Sequence, residues 1–146
     1  FYLFNLEQTA HSPHYYYHKF DPEDQKSHRR SIYRFVVRSQ PNPFMTTLDC
    51  ADSSQSTPRR NETMTALQAL SLLNNKFTLA MSQHFANRLA QEGKGSSHQI
   101  KAGFELVAGR LPNPEEYQLL VQYAEEHGMA NLCRALFSLS EFSFID

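Results

Sequence analysis

The second half of the chain repeats apolar residues at the spacing of an α-helix, and this pattern limits what the chain can fold into. Residues 65–93 read TALQALSLLNNKFTLAMSQHFANRLAQEG. The Asn74–Asn75 pair within this stretch predicts a bend or a break, so the stretch forms either one bent helix or two helices. The apolar residues at helical spacing are Leu70, Leu73, Phe77, Met81, Phe85 and Leu89.

The stretch NPEEYQLLVQYAEEHG has the clearest helix boundaries in the chain. Asn113 is a good N-cap, Pro114 suits the first helical position, and Glu116 is the acidic third residue that completes a capping box. Gly128 is a natural stop. The sequence therefore predicts a helix that begins after Asn113 and ends at Gly128.

Weaker boundary signals frame the other helices. Thr65 and Gln68 have the spacing of a capping box, and Gly93 is the predicted stop of the long stretch. Ser96 or Ser97 is the predicted cap of the next helix. Two further apolar stripes are predicted, one from Ile100, Phe104 and Val107 and the other from Leu132, Leu136 and Phe137. Ser140 is the predicted cap of one short final turn.

Together these patterns predict a mainly α fold, with a small helical bundle over residues 63–146. Residues 1–62 are different in character, because the first 60 residues hold five of the seven prolines and four of the seven histidines. We expect them to form an irregular, loop-rich segment, rich in aromatic residues and arginine, that wraps around the bundle. The stretch SIYRFVVRS, residues 31–39, is the one short strand predicted there. The 146 residues form either one domain or the C-terminal part of a larger one.

Charge and cysteine content exclude several classes of function. The formal net charge of −1 gives no basic surface for nucleic acid, and no apolar stretch is long enough to predict a membrane span. Cys50 and Cys133 are the only cysteines, so the chain has neither a four-cysteine zinc site nor the C-x-x-C-H motif that attaches haem. The pair forms either two free thiols or one disulfide, and a disulfide requires an oxidising compartment.

The stretch HSPHYYYHKF, residues 11–20, is dense in histidine and tyrosine. His11, His14 and His18 would share a helical face, but Pro13 argues against a regular helix there. Three imidazoles suit a metal ion only when a surrounding framework holds them together. They are weak metal candidates, and the favoured interpretation is an extended aromatic arm whose tyrosines pack on a neighbouring surface.

Arginines concentrate between residues 29 and 60. One interpretation is a site for a sulfate, phosphate or carboxylate, since the guanidinium group binds such anions through two hydrogen bonds. The favoured interpretation is that the arginines pair with nearby acids and donate to loop carbonyl groups. The candidates for the anion site are Arg29, Arg30, Arg38, Arg59 and Arg60.

Catalytic signals are sparse. The chain has no G-x-S-x-G motif and no glycine-rich phosphate loop. Asp49 and Asp52 flank Cys50 and could serve as an acid/base pair, although nothing in the sequence separates their pKa values. The negative charges also disfavour a thiolate nucleophile at Cys50. Whether the chain is an enzyme stays open, and the balance is against catalysis by this segment alone.

Four motifs, in order along the chain, carry a resemblance to a known family: RRSIYRFVVR, LDCAD, TALQALSLLNN and the terminal EFSFID. The chain resembles, over nearly its whole length, the C-terminal domain of unknown function 1553. This domain ends large exported proteins of planctomycetes and related bacteria, which often carry an N-terminal c-type cytochrome domain. The resemblance implies that the chain is the C-terminal part of a larger protein in the periplasm or at the cell surface. It also implies that any haem lies upstream, and an exported setting would permit the Cys50–Cys133 disulfide.

Two functions follow as hypotheses. The first is a noncatalytic accessory or interaction module that packs against upstream domains of the same polypeptide. The alternative is part of an enzyme acting on an anionic or carbohydrate substrate through the arginine-lined site, with Asp49 or Asp52 transferring the proton.

Overall fold

The structure is a computed structural model. It describes residues 6–8, 13–25, 28–33, 40–52, 55–56, 58–59, 63, 65–92 and 95–143. The chain divides into two compact units, Phe1–Ser71 and Leu72–Asp146, and each is considered separately below.

The first unit contains a short antiparallel hairpin. Strand β1 (Leu6–Gln8) pairs with strand β2 (Pro13–Tyr15), so that Glu7 lies opposite His14. Pro13 is the first residue of its strand, where the missing N–H costs least. A 3₁₀ turn at Tyr17–Lys19 follows directly.

The predicted strand over residues 31–39 is wrong at its start. Ser31–Tyr33 form a 3₁₀ turn, whose last N–H donates to the carbonyl oxygen of Arg30 at 3.0 Å. Residues 34–39 lie outside the described residues. Local β propensity is a weak guide here, because it reflects packing against neighbouring strands more than the backbone itself.

Helix α1 (Pro43–Thr47) is defined by its first residues. Asn42 is the N-cap, and its Oδ1 accepts hydrogen bonds from the backbone N–H groups of Phe44 at 3.0 Å and Met45 at 3.3 Å. Pro43 occupies the first helical position, where its missing N–H would have no partner in the helix anyway.

The long apolar stretch forms two helices, as the asparagine pair indicates. Helix α2 (Ala66–Asn74) ends where Asn75 begins helix α3 (Lys76–Gln91). Asn75 is extended, and its Oδ1 accepts from the N–H of Phe77 at 2.8 Å. The predicted stop at Gly93 lies outside the described residues.

The remaining helices are α4 (Ser96–Ala108), α5 (Pro114–His127), α6 (Met129–Leu136) and α7 (Ser140–Ser143). The box at Asn113 and Glu116 is confirmed, and α5 ends before Gly128. The predicted serine cap of α4 is wrong. Gly95, with φ of 81°, is the N-cap and Ser96 is the first helical residue, because the left-handed backbone at this turn favours glycine.

The core of the second unit lies among α3, α4, α5 and α6. In the stripes predicted from Ile100 and Leu132 every residue is buried except Phe137, which is partly buried against the core. Small residues allow α3 to approach α6 closely, and Ser82 satisfies its hydroxyl group within the helix by donating to the carbonyl oxygen of Leu79 at 2.8 Å. The buried residues are Thr78, Ser82, Ala86, Leu89, Ile100, Gly103, Phe104, Val107, Leu132, Cys133 and Leu136.

The fold is therefore mainly helical, as predicted, with a helical bundle in the second unit. Among the helices that the structure describes, none combines the length and the apolar character that crossing a membrane demands.

Candidate functional site

Asp49 is the centre of a hydrogen-bonded cluster in the first unit. It follows α1 and has φ of 56°, a left-handed conformation that aspartate tolerates better than most residues. Its Oδ2 accepts from the N–H of Thr63 at 2.7 Å, the Thr63 hydroxyl at 2.7 Å and Gln68 Nε2 at 3.0 Å. These bonds join segments 14 and 19 residues apart, so Asp49 has a structural role at the start of α2.

Gln68 joins this cluster to the capping box of α2. Its Oε1 accepts from the N–H of Thr65 at 2.8 Å, and its own N–H donates to the Thr65 hydroxyl at 3.2 Å. Its Nε2 also donates to the Thr63 hydroxyl at 2.8 Å. The box predicted from Thr65 and Gln68 is therefore confirmed, and Gln68 also ties the start of α2 to Asp49 and Thr63. We call Asp49, Thr63, Thr65 and Gln68 the Asp49 cluster.

The face of α2 away from Gln68 is apolar. At 100° per residue, Ala66, Leu67, Ala69 and Leu70 fall within one arc on the side opposite Gln68. Leu67 is 62% exposed and Leu70 is 56% exposed, and no residue of α2 is buried. Leu70 has the helical spacing predicted from the sequence, but it is exposed rather than buried.

We call these four residues the α2 face. The nine residues of α2 include no charged side chain. An apolar surface without charge gives up little hydration of polar groups when a partner covers it. Exposed apolar patches of this kind mark interaction surfaces more often than single exposed leucines do.

The proposed proton-transfer pair has two different environments. Asp49 is held by the three donors described above, whereas Asp52 is exposed in the loop that follows. Both residues make further interactions. The role of Asp49 or Asp52 in proton transfer stays a prediction.

The arginine candidates are only partly described. Arg29 and Arg30 are exposed and precede the 3₁₀ turn at Ser31, and Arg59 is exposed in the following loop region. Arg38 and Arg60 lie outside the described residues. The anion site therefore stays a prediction.

The histidine candidates also remain predictions. His14 lies in β2 and His18 in the following 3₁₀ turn, while His11 lies outside the described residues. Within the part of the chain that the structure describes, no three side chains of His, Cys, Asp or Glu come together as ligands for a metal ion. Within residues 13–20, the described part of this stretch, there is a strand and a 3₁₀ turn and no α-helix, as the sequence predicted.

The two cysteines have different surroundings. Both are free in the structure, Cys50 at an exposed position and Cys133 in the core between α3 and α6. Burial raises the pKa of the Cys133 thiol to about 11, so it stays protonated at neutral pH. Their pairing stays a prediction.

An ion-pair cluster that the sequence analysis did not identify links α4, α5 and α7. Arg110 binds Glu116 through two hydrogen bonds of 2.8 and 2.7 Å, and donates to Glu141 Oε1 at 3.2 Å. The guanidinium also lies 5.0 Å from the centre of the Phe104 ring. Glu116 holds the N-cap as well, because its Oε2 accepts from the N–H of Asn113 at 2.8 Å.

This cluster makes the stability of the second unit depend on pH. The hydrogen bonds from Arg110 and from the N–H of Asn113 lower the pKa of Glu116 to about 2. The pKa of Glu141 is also lowered, by its own backbone N–H and by Arg110. The contribution of Glu116 to the free energy of unfolding is full above its unfolded pKa of about 4.5, and it is lost as the pH falls from there to about 2. The contribution of Glu141 is lost in the same direction, as the pH falls below its unfolded pKa.

We expect Glu116→Gln to weaken this acid dependence of the second unit. Glutamine can still accept the N–H of Asn113, so the cap is kept while the charge is removed. The check is urea unfolding at several pH values between 2 and 6, with the exposed Glu125→Gln as control. An unchanged pH profile in Glu116→Gln would contradict the assigned pKa.

Comparison with known proteins gives one family. Residues 4–124 match the model of the family described as PSD1: Protein of unknown function (DUF1553). No curated protein matches the chain, and no solved structure does. The match spans both compact units and most of the chain.

Proposed function

The chain belongs to the PSD1 family of proteins of unknown function, DUF1553, and on that premise we propose that it is an accessory interaction module. In this proposal it packs through the α2 face against a region that precedes it in a larger polypeptide. The observation that carries the proposal is that α2 exposes two leucines on a helix without charge or buried residues.

The geometry of α2 supports this role because both sides of the helix have a defined function. Gln68 fastens one side to the Asp49 cluster through hydrogen bonds of 2.8 to 3.2 Å. On the opposite side, the four residues of the α2 face carry no hydrogen-bonding side chain. A partner that covers the α2 face therefore does not compete with the bonds that hold the helix.

The size of the expected effect follows from the exposed area. Complete burial of a leucine contributes about 1.5–3 kcal/mol. Leu67 and Leu70 are each more than half exposed, so covering both would contribute about 2–4 kcal/mol. Two such residues can contribute most of the binding free energy of an interface, with further contacts around them.

The proposal includes the setting that the family resemblance suggests. The larger polypeptide is exported to the periplasm or cell surface, and any haem is held by its c-type cytochrome domain rather than by this chain. This chain itself has no C-x-x-C-H motif for covalent haem attachment.

The test is to measure binding between this chain and the separately expressed region that precedes it in the full-length protein. We expect the double variant Leu67→Ser/Leu70→Ser to weaken binding by about 30-fold to 700-fold, since 1.4 kcal/mol corresponds to a factor of ten. Circular dichroism checks that α2 remains helical.

The matched control is Leu119→Ser, at a leucine that is 67% exposed on α5. It removes the same side chain from a different surface, and we expect it to leave binding unchanged. No binding by the wild-type chain, or equal binding by the double variant, would contradict the proposal.

A further inference from the structure

Arg134 of α6 binds the end of α2, about 60 residues earlier in the chain. Its Nε donates to the carbonyl oxygen of Leu73 at 2.7 Å, and its Nη2 donates to Asn74 Oδ1 at 2.7 Å. All three residues belong to the second unit. Both bonds are short and have a charged donor, which makes them stronger than bonds between neutral groups.

These bonds supply hydrogen-bond donors at the C-terminal end of α2. The last four carbonyl groups of an α-helix have no partner within the helix, and a cation near them also interacts favourably with the helix dipole. Arg134 supplies both the donor and the charge. The end of α2 is thus fastened by a side chain from another helix.

The junction that follows is short. Asn75 alone separates the last residue of α2 from the first of α3, and its φ of −66° and ψ of 137° are extended rather than helical. The side chain of Asn75 caps α3 through the N–H of Phe77 and makes no bond to α2 in the described contacts.

We infer that Arg134 is a latch that holds the end of α2 at Leu73 and Asn74, and so keeps the helix that carries the α2 face formed for its partner. This inference rests on the proposed function and adds a residue that acts on binding without contacting the partner. Removing the latch would leave the α2 face chemically intact while reducing the fraction of molecules that present it correctly. The apparent dissociation constant rises in proportion to the loss of that fraction.

The test uses Arg134→Met in the full 146-residue chain. Methionine keeps most of the apolar stem and removes the two donors, so the packing of α6 is largely kept. The control is Arg88→Met, an exposed arginine in the last turn of α3. Arg134→Lys keeps the charge but loses the planar pair of donors, and we expect an intermediate effect.

Two readouts separate the latch from the proposed function. Amide hydrogen exchange in α2 is expected to accelerate about tenfold in Arg134→Met while exchange in α4 and α5 is unchanged. Binding to the separately expressed upstream region is expected to weaken about tenfold, in step with the exchange. Arg88→Met is expected to change neither.

Unchanged exchange in α2 would overturn the latch, whatever happens to binding. Faster exchange with unchanged binding would overturn its positioning role. If the wild-type chain does not bind the upstream region at all, the proposed function fails together with the positioning role, and the exchange data then decide whether the latch itself exists.

Discussion

Replacing Leu132 by alanine is expected to lower the free energy of unfolding of the helical unit by about 2–5 kcal/mol. Leu132 is 1% exposed and lies in the cluster of Ile100, Phe104, Val107 and Leu136. The change removes apolar contacts and leaves a cavity, because the packed helices around Leu132 relax only partly into the space. Urea unfolding of the full chain, followed by circular dichroism at 222 nm, measures the loss.

The matched control is Leu119→Ala, which removes the same atoms from the exposed surface of α5. Its expected effect lies within about 0.5 kcal/mol. Similar losses at Leu119 and Leu132 would mean that α6 does not occupy the centre of the core, and would contradict the described fold.

Gly103→Val is expected to be the second most damaging change, at about 1–3 kcal/mol. A Cβ atom built on Gly103 would lie 2.9 Å from Leu89 Cδ1 and 3.8 Å from Leu136 Cδ1. Leu89 is itself 1% exposed, so its methyl group has no free space into which to move. Glycine is therefore required in the middle of α4 by the approach of α3, at a cost in helix propensity of up to about 1 kcal/mol relative to alanine.

The control for this change is Ala90→Val at an exposed position of α3. It adds a branched side chain to a helix without packing it against another, and should cost about 0.5 kcal/mol. Urea unfolding of both variants compares the two costs. A Gly103→Val protein as stable as the wild type would show that α3 and α4 are farther apart than described.

Sequence alone predicted the features that depend on neighbouring residues. Helix α5 begins at a cap followed by a proline and ends at a glycine, so each of its ends is determined by residues next to it. The same holds for the Thr65 and Gln68 box and for the break before Asn75.

The errors arise where distant contacts decide. Leu70 shares the helical spacing of the apolar stretch but is 56% exposed, because periodicity does not tell which apolar residues become buried. Ser31–Tyr33 lie in a stretch with strand propensity but form a 3₁₀ turn. The cap of α4 depends on the left-handed turn at Gly95 rather than on the serines that follow it.

The contacts of most functional interest could not be predicted. Asp49 meets Gln68 across 19 residues, and Arg134 meets Leu73 across 61. Neither pair has a local signature, because folding alone brings these residues together. The sequence offered Asp49 only as an alternative candidate for proton transfer, and it gave no sign of the three donors that reach Asp49 from the start of α2 and the loop before it.

The central proposal is that this chain is part of a larger polypeptide and that the α2 face is covered in it. The most direct measurement is amide hydrogen exchange of residues 66–74 in the full-length protein, compared with the isolated 146-residue chain. The account predicts that exchange in α2 slows by at least about tenfold in the full-length protein, while the exposed surface of α5 around Leu119 is unchanged. Equal exchange of α2 in both proteins would contradict the claim.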